Sequence, residues 1–481
     1  MLVQLLTVAA VVALTYLFLQ LLGPRPANIF IPLSERQKWT KLLSSSLGGW
    51  LYVSNLAATL TSLATVFIFF IGSSPIFGSY IYVSVATIIV GSVITTRLTE
   101  RLANSEQFKR HLDRSEVSTV AIAALFWRET EAGKQASWIA RIITLVSISC
   151  ILWLEFATFS TLAGSIFGFD STLNKSFVMF FAVLFIFDFT LRNGLRGFIF
   201  TDLLHAPMIL LGTLAVLIGA LFLIKVDSSG ALNLLTAPPK LPLPETITFV
   251  VATIFLNSFI LLTGESHWIR VWAMRSQVAK STVRAGIVMA VTWLLLIAIG
   301  LLIATTYTGG GALSVIQLVN ALANLSLIYV IGFWMAGTAA LFSTADAQVY
   351  SFLLVAAFNP EKGEIETKSA IIKFPLFAAL SIALAFSGLY FLVTEWKLPF
   401  EQIVFFVFPL FLCLVPGLIQ ILKGHQVSAG PMSVALCLYL VCGIGMIVSS
   451  KFEFFFSLGA PLMPAIVAAA VAMLPAKEGE K

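Results

Sequence analysis

The chain has 481 residues, of which 59% are hydrophobic and only 11% are charged, and its mean hydropathy is +0.98. Soluble globular proteins carry about 25% charged residues, so water alone cannot solvate a chain of this composition. A lipid bilayer must solvate most of it, which predicts an all-α, polytopic membrane protein. The net charge of +6 is read loop by loop as topology information and does not indicate a nucleic-acid partner.

Runs of about 20 apolar residues, the length needed to cross a bilayer as a helix, recur along the whole sequence. They predict about thirteen transmembrane helices, separated by short loops rich in glycine and proline. The predicted spans are 2–22, 47–71, 77–98, 138–165, 173–191, 194–224, 246–264, 284–307, 322–357, 369–393, 402–422, 431–449 and 453–474.

The positions of Lys and Arg test this number of spans, because cytoplasmic loops of membrane proteins are enriched in both residues. With the N-terminus outside and thirteen crossings, nearly all of the 29 Lys and Arg residues fall on the cytoplasmic side. The outer side holds only Lys175, Lys225, Lys240, Lys397 and Lys451. We therefore expect a multi-pass protein of the inner or plasma membrane, in contact with lipid, with a cytoplasmic C-terminus.

The longest stretch between predicted spans covers residues 99–137 and contains an apolar patch from Val117 to Trp127. This patch predicts an amphipathic helix that lies on the bilayer surface. No other loop is long enough to form a soluble domain. No nucleophile elbow, phosphate loop or zinc-ligand spacing occurs, so we predict that the protein is not an enzyme and binds no organic cofactor.

Ionisable side chains at membrane depth are costly and are usually functional or paired. Asp188, Glu265 and His267 fall near predicted cytoplasmic helix ends, where a solvated position is the favoured interpretation. Glu155 falls inside the span 138–165, and two interpretations remain open for it. It is either a substrate or proton site, or a buried carboxyl group held by hydrogen bonds.

The segment 337–348 combines small residues with the hydroxyls of Ser343 and Thr344 and the carboxylate of Asp346. Small residues let a neighbouring helix approach closely, and oxygen ligands on one helical turn suit a hard cation such as Na⁺. The alternative is simple helix packing, with both hydroxyls bonded back to the preceding turn.

Asp202 and His205 stand three residues apart and can face the same side of a helix. The carboxylate would complete a cation site or relay a proton. The alternative is a helix N-terminal carboxylate that is stabilised by the helix dipole.

Three segments resemble signatures of the sodium/solute symporter family. Residues 192–205 resemble a pattern in which Gly-Gly-Leu and a basic residue precede Trp/Tyr-Thr-Asp and a Gln; here Asn193 replaces the first Gly and His205 the Gln. Residues 343–346 resemble the family's Ser-Thr-Ala-Asp-Ser-Gln segment, and residues 267–281 its Gln-Arg…Ala-Lys stretch. Together with the thirteen spans, the resemblance covers nearly the whole chain.

The resemblance implies a leucine-transporter-like core. Residues 47–224 would form a first five-helix repeat and residues 246–422 a second, inverted repeat. Residues 1–46 would form an extra N-terminal transmembrane helix with a cytoplasmic linker, and residues 431–474 two peripheral helices. The implied function is secondary active transport, in which a small organic solute is symported with Na⁺ by alternating access. Separately from the resemblance, we expect a monomer.

The resemblance also implies site residues. The main Na⁺ site would combine the carbonyls of Ala57, Leu60 and Ala340 with the hydroxyls of Ser343 and Thr344. Asp202 and Asp346 would form a second cation or proton site. The solute cavity would be lined by Thr61, Ala64, Glu155, Phe159, Asn257 and Phe408.

Two alternatives remain at this point. One is a proton-coupled transporter on the same fold, which would use His205, Asp202 or Glu155. The other is a solute sensor that binds without net transport. The sequence does not name the solute, and it does not show whether the first core helix is interrupted.

Overall fold

The computed structural model describes residues 2–21, 29–30, 46–104, 121–169, 171–223, 241–273, 275–307, 317, 321, 326–366, 373–396, 400–448 and 459–475. Within these ranges the chain is helical apart from short turns and one hairpin. In this hairpin β1 (Phe358–Asn359) pairs with β2 (Glu364–Ile365) in antiparallel register. The predicted all-α class is confirmed.

The helices are numbered in chain order. They are α1 Leu2–Leu21, α2 Ser46–Thr59, α3 Phe69–Phe77, α4 Tyr82–Ala103, α5 Ile122–Phe126, α6 Glu131–Phe167, α7 Thr172–Phe200, α8 Asp202–Leu223, α9 Leu243–Thr263, α10 Glu265–Ala273, α11 Arg275–Tyr307, α12 Leu327–Ala357, α13 Pro375–Trp396, α14 Phe400–Val407, α15 Val415–Leu422, α16 Gly430–Val448 and α17 Leu462–Met473. A π-helical segment, Leu63–Ile68, precedes α3, and 3₁₀ segments Gly78–Ile81 and Phe408–Leu414 precede α4 and α15.

Within the described residues, nine helical segments are long and apolar enough to cross a membrane. Three shorter apolar segments, Phe408–Leu422, Gly430–Gly445 and Leu462–Met473, add to them. Large apolar side chains such as Phe181, Phe222 and Phe377 are exposed. Exposed apolar surface on this scale is unfavourable in water and favourable in lipid, so the polytopic membrane protein is confirmed.

The first core helix is interrupted between α2 and the π-helical segment, at residues 60–62, here called the break. The Thr61 amide shares the carbonyls of Ala57 and Ala58, and its hydroxyl also bonds the Ala57 carbonyl at 2.8 Å. Hydroxyl side chains that bond the preceding turn bend helices. The sequence therefore interrupts this helix with polar side chains, without a glycine at the break.

Two further interruptions divide long apolar runs. Within α7 the backbone at Gly194 has φ 51° and ψ −140°, which separates the residues before it from those that lead into α8. An added Cβ at Gly194 would lie 2.6 Å from the Ile29 carbonyl oxygen, so both backbone angle and space require glycine. Gly264, in an extended conformation, separates α9 from α10.

Close helix contacts bring α12 to the centre of the molecule. Helix α8 packs along α12, where a Cβ on Gly212 would lie 2.3 Å from the Gly332 carbonyl oxygen. Small residues permit this approach. Helix α12 also packs against α2, the π-helical segment and α1. The segment with Ser343 and Thr344 thus lies beside the break.

The short helix α5 differs from its prediction. Its five residues, Ile122–Phe126, are all buried and pack against α6, where the Ser137 hydroxyl donates to the Ala123 carbonyl. The prediction of a helix on the bilayer surface is therefore wrong for these residues, because their apolar side chains are covered by protein. The first residues of that apolar patch, 117–120, lie outside the described part of the chain.

Candidate functional site

Glu155 of α6 binds the main chain directly after the break. One carboxylate oxygen accepts the Leu63 backbone N–H at 2.9 Å, and both oxygens lie 3.2 Å from the Ala64 nitrogen. The first N–H groups of a helical segment have no carbonyl partner within it, and negative charge is favourable there. Glu155 is fully buried and in this structure is a carboxyl group held by hydrogen bonds.

The main chain directly before the break contacts α12. The Thr344 hydroxyl donates to the Thr59 carbonyl at 2.9 Å, instead of bonding back to its own preceding turn. Ala340 and Ser343 are buried on the same helix, and the Ser343 hydroxyl has no hydrogen bond of standard geometry. The Thr344 hydroxyl and the carbonyl freed by the break therefore lie in contact, and the Ser343 hydroxyl is buried next to them in sequence.

The predicted carbonyl ligands differ in whether internal hydrogen bonds already use them. The Ala57 carbonyl accepts both the amide and the hydroxyl of Thr61, so internal hydrogen bonds use it. Leu60 lies within the break, where the helix is interrupted. The Thr59 carbonyl, which the resemblance did not suggest, is the one that contacts α12.

A closed ring of hydrogen bonds surrounds the α2 end of the break, and we call its four residues the polar ring. Arg270 of α10 donates to the side-chain oxygens of Asn55 and Thr59, the latter at 2.6 Å. Asn55 and Thr59 in turn donate to the same Asp202 oxygen, at 2.7 and 3.3 Å. An amide and a hydroxyl thus bridge a buried guanidinium and a buried carboxylate.

The Arg270 guanidinium is fully buried, and it makes further contacts outside the polar ring. It donates to the Ser266 hydroxyl at 3.1 Å and lies 5.0 Å above the centre of the Phe198 ring. A buried charge is tolerated when hydrogen bonds satisfy it. Sequence reasoning placed Arg270 in a family motif but assigned it no role.

Several buried oxygens near the polar ring lack hydrogen bonds. The second Asp202 oxygen lies 3.5 Å from Nδ1 of His205, and the other ring nitrogen of His205 lies 3.0 Å from the Thr15 hydroxyl of α1. Both Asp346 oxygens have no hydrogen-bond partner. Buried polar atoms are nearly always partnered, and a monovalent cation bound by these oxygens would satisfy them. Oxygen ligands of this kind suit a hard cation such as Na⁺.

A partly open and mostly apolar cavity lies beside the break. Its walls come from the π-helical segment, α3, α4, α9, α11, α14 and the 3₁₀ segment before α15. Leu60 belongs to this wall as well as to the break. One helix interruption thus borders both the oxygen-rich space and the cavity.

Two of the six predicted solute-contacting residues, Asn257 and Phe408, line this cavity. Thr61 and Ala64 are buried at the break beside Glu155, and Phe159 is half-buried on α6. These four are not among the described residues of the cavity wall. The sequence missed Trp293 and the phenylalanines of the wall, because 41 Phe residues along the chain give no positional signal.

The solvated-end interpretation is wrong for Glu265 and His267, which are both buried. Glu265 accepts the Ile122 N–H of α5 at 2.8 Å, and the Thr99 hydroxyl lies 2.9 Å from the His267 ring. The packed α5 covers the helix end that the sequence left open to water. Asp188 is exposed, as expected, and pairs with Arg192 at 2.7 Å.

Comparison with known proteins adds the fold. No protein-family model matches the chain, and no curated protein matches it.

Solved structures do match. A Na⁺-coupled sialic acid symporter, substrate-bound and outward-open, has a TM-score of 0.62 at 14% identity and covers 99% of this chain and 98% of its own. MhsT in complex with L-phenylalanine has a TM-score of 0.50 at 13% identity, over 89% and 99%. A manganese transporter from Eremococcus coleocola has a TM-score of 0.50 at 12% identity, over 91% and 94%. The chain therefore has the fold of these membrane transporters, which confirms the predicted leucine-transporter-like fold.

Proposed function

We propose that the protein is a secondary active transporter that symports a small organic solute with Na⁺ by alternating access. The observation that supports this most directly is the break in the first core helix. At the break the Thr344 hydroxyl contacts the Thr59 carbonyl, and Leu60 borders a mostly apolar cavity. Discontinuous helices at the centre of such folds are where substrate and coupling ion bind.

The proposed Na⁺ site keeps the predicted ligands and adds one. The carbonyls of Leu60 and Ala340 and the hydroxyls of Ser343 and Thr344 would bind the ion, with the Thr59 carbonyl as an added ligand. Rotation of the Thr344 hydroxyl, which now donates to Thr59, would turn its lone pairs toward the ion. The Ala57 carbonyl would join only if the Thr61 hydroxyl released it.

Asp202 and Asp346 would form the second cation site. Arg270 supplies one buried positive charge close to these two buried carboxyl groups, so one further monovalent cation would balance the cluster. A proton is the alternative occupant, because His205 lies 3.5 Å from Asp202.

Coupling between ion and solute would follow because the break borders both of their proposed sites. The ion would tie the break to α12, and the solute would contact the π-helical segment that begins directly after it. Each ligand would then favour the same conformation of residues 59–63, and the two affinities would rise together. The inverted repeats 47–224 and 246–422, an outer N-terminus, a cytoplasmic C-terminus and the inner or plasma membrane complete the proposal.

Na⁺ alone is sufficient as a first probe. The melting temperature of the purified full-length protein should rise with NaCl and remain unchanged with KCl or choline chloride at equal ionic strength, because a ligand that binds the folded state stabilises it. In reconstituted vesicles, a solute identified by binding should accumulate on an inward Na⁺ gradient. Uptake that is driven only by a pH step would replace Na⁺ with H⁺ in the proposal, and binding without uptake would indicate a sensor.

A further inference from the structure

The cavity beside the break has walls of ordered aromatic rings. The Phe70 and Trp293 rings lie with centroids 4.9 Å apart, and the Phe249 ring stacks on Phe77 at 4.0 Å. The wall is mostly apolar, with a few polar side chains among the rings, which is the usual lining of a small-molecule site. Rings held in this way offer flat apolar faces to a flat solute.

Charge is the second property of the cavity. None of the described residues of its wall is Asp, Glu, Lys, Arg or His. Glu155, a carboxylate at the break, accepts the Leu63 and Ala64 amides. Arg270 is bonded within the polar ring on the other side of the break. A charged solute group would therefore lose its hydration in this cavity without gaining a fixed counter-charge.

Hydrogen bonding is the third property. The Asn257 amide nitrogen donates to the Ser84 carbonyl at 3.1 Å and to the Thr87 hydroxyl at 2.9 Å, so α4 already uses it. The Trp293 indole belongs to the wall, its side chain is 5% exposed, and its N–H has no partner. A buried N–H without an acceptor costs free energy that a ligand acceptor would recover.

We propose that this cavity binds an uncharged solute built on a flat ring, with a hydrogen-bond acceptor that receives the Trp293 N–H. This inference rests on the proposed function only in taking the cavity as the solute site. It excludes carboxylates, ammonium compounds and zwitterions as the principal solutes.

A matched series of ligands tests the class on the purified full-length protein. Phenylacetamide, phenylacetate, phenethylammonium and phenylalanine share one ring and differ in charge; ethylbenzene lacks the acceptor, and cyclohexylacetamide lacks the flat ring. Isothermal titration calorimetry should show phenylacetamide binding about tenfold more tightly than ethylbenzene, since one satisfied buried hydrogen bond is worth about that factor. Phenylacetamide should also bind more tightly than each charged compound and than cyclohexylacetamide.

A substitution at Trp293 tests whether the ligand acceptor receives the indole N–H. Trp293→Phe keeps a ring and removes the N–H, so it should weaken phenylacetamide about tenfold and leave ethylbenzene unchanged. Trp334→Phe is the control, because Trp334 is equally buried on α12 and is not among the described wall residues. Equal effects of the two variants on phenylacetamide would overturn the assignment.

The remaining outcomes are also decisive. Tighter binding of any charged member of the series, or no binding by any uncharged ring compound, would overturn the proposed class. Titrations in NaCl and in KCl separate this result from Na⁺ coupling. Equal phenylacetamide affinity in both salts would argue against Na⁺ coupling and leave the proposed solute class intact. Na⁺-dependent binding of phenylalanine alone would support Na⁺ coupling and overturn the proposed solute class.

Discussion

The Thr344 hydroxyl donates a 2.9 Å hydrogen bond to the Thr59 carbonyl, which joins two residues 285 positions apart in the sequence. Both are buried, and the carbonyl lies where α2 stops. A main-chain oxygen released from its helix has thus been met by a side chain that is itself a potential cation ligand.

Replacing Thr344 with Val removes the hydroxyl and keeps the shape of the side chain. We expect the Na⁺-dependent rise in melting temperature to be lost or its half-maximal concentration to increase at least about tenfold, because a ligand oxygen disappears. Thr344→Ser should retain most of the effect. Thr144→Val is the matched control, since Thr144 is equally buried but bonds its own helix on α6. An unchanged Na⁺ response in Thr344→Val would remove this residue from the site.

Glu155 should matter for stability before it matters for transport. Glu155→Leu leaves two buried N–H groups at the break without an acceptor, at about 1–3 kcal/mol each. Glu155→Gln keeps one acceptor oxygen and should cost less. Thermal unfolding in detergent measures both, with the exposed Glu131→Gln as the control. If the Leu variant melted at the wild-type temperature, the break would not depend on this carboxylate.

The polar ring predicts a strong coupling between two buried charges. Arg270→Gln leaves Asp202 without its bridged counter-charge and should destabilise the protein by about 3–5 kcal/mol. Adding Asp202→Asn should restore part of that loss, because the double variant buries no unpaired charge in the ring. A double-mutant cycle on melting temperatures measures the interaction. Strictly additive effects would mean that Asn55 and Thr59 do not transmit it.

Gly194 is predicted to be irreplaceable. Gly194→Ala places a Cβ 2.6 Å from the Ile29 carbonyl oxygen at a positive φ, and a strained backbone of this kind costs about 1–3 kcal/mol. Gly388→Ala on α13 is the control, because nothing lies within 4 Å of its Cβ position. Folded yield and melting temperature should fall for the first variant only. A wild-type melting temperature for Gly194→Ala would show that the kink at α7 relaxes freely.

Much of the fold was accessible from the sequence because lipid imposes simple rules on it. A bilayer-spanning helix must be long and apolar, and α6, α8, α9 and α12 satisfy this rule without help from tertiary contacts. The short α5 was misread for the opposite reason. Its apolar residues suit the bilayer surface and a protein interior equally well, and only packing against α6 decides between them.

The site was accessible only in part. Adjacent hydroxyls at 343 and 344 marked the α12 contribution, since few arrangements place two of them beside a carboxylate on an apolar helix. The role of Glu155 was undetermined because its partners are main-chain amides about 90 positions away. The polar ring joins three helices, so no local pattern around Arg270 could reveal it.

The contact between α1 and the polar residues has a consequence for ion leak. Thr15 places its hydroxyl 3.0 Å from the His205 ring, so α1 contacts a buried polar side chain that lies beside Asp202. In the proposed transporter, this helix would hinder slippage, which is Na⁺ entry that bypasses the solute. Vesicles containing protein without residues 1–22 would reveal such slippage as Na⁺ entry in the absence of any solute.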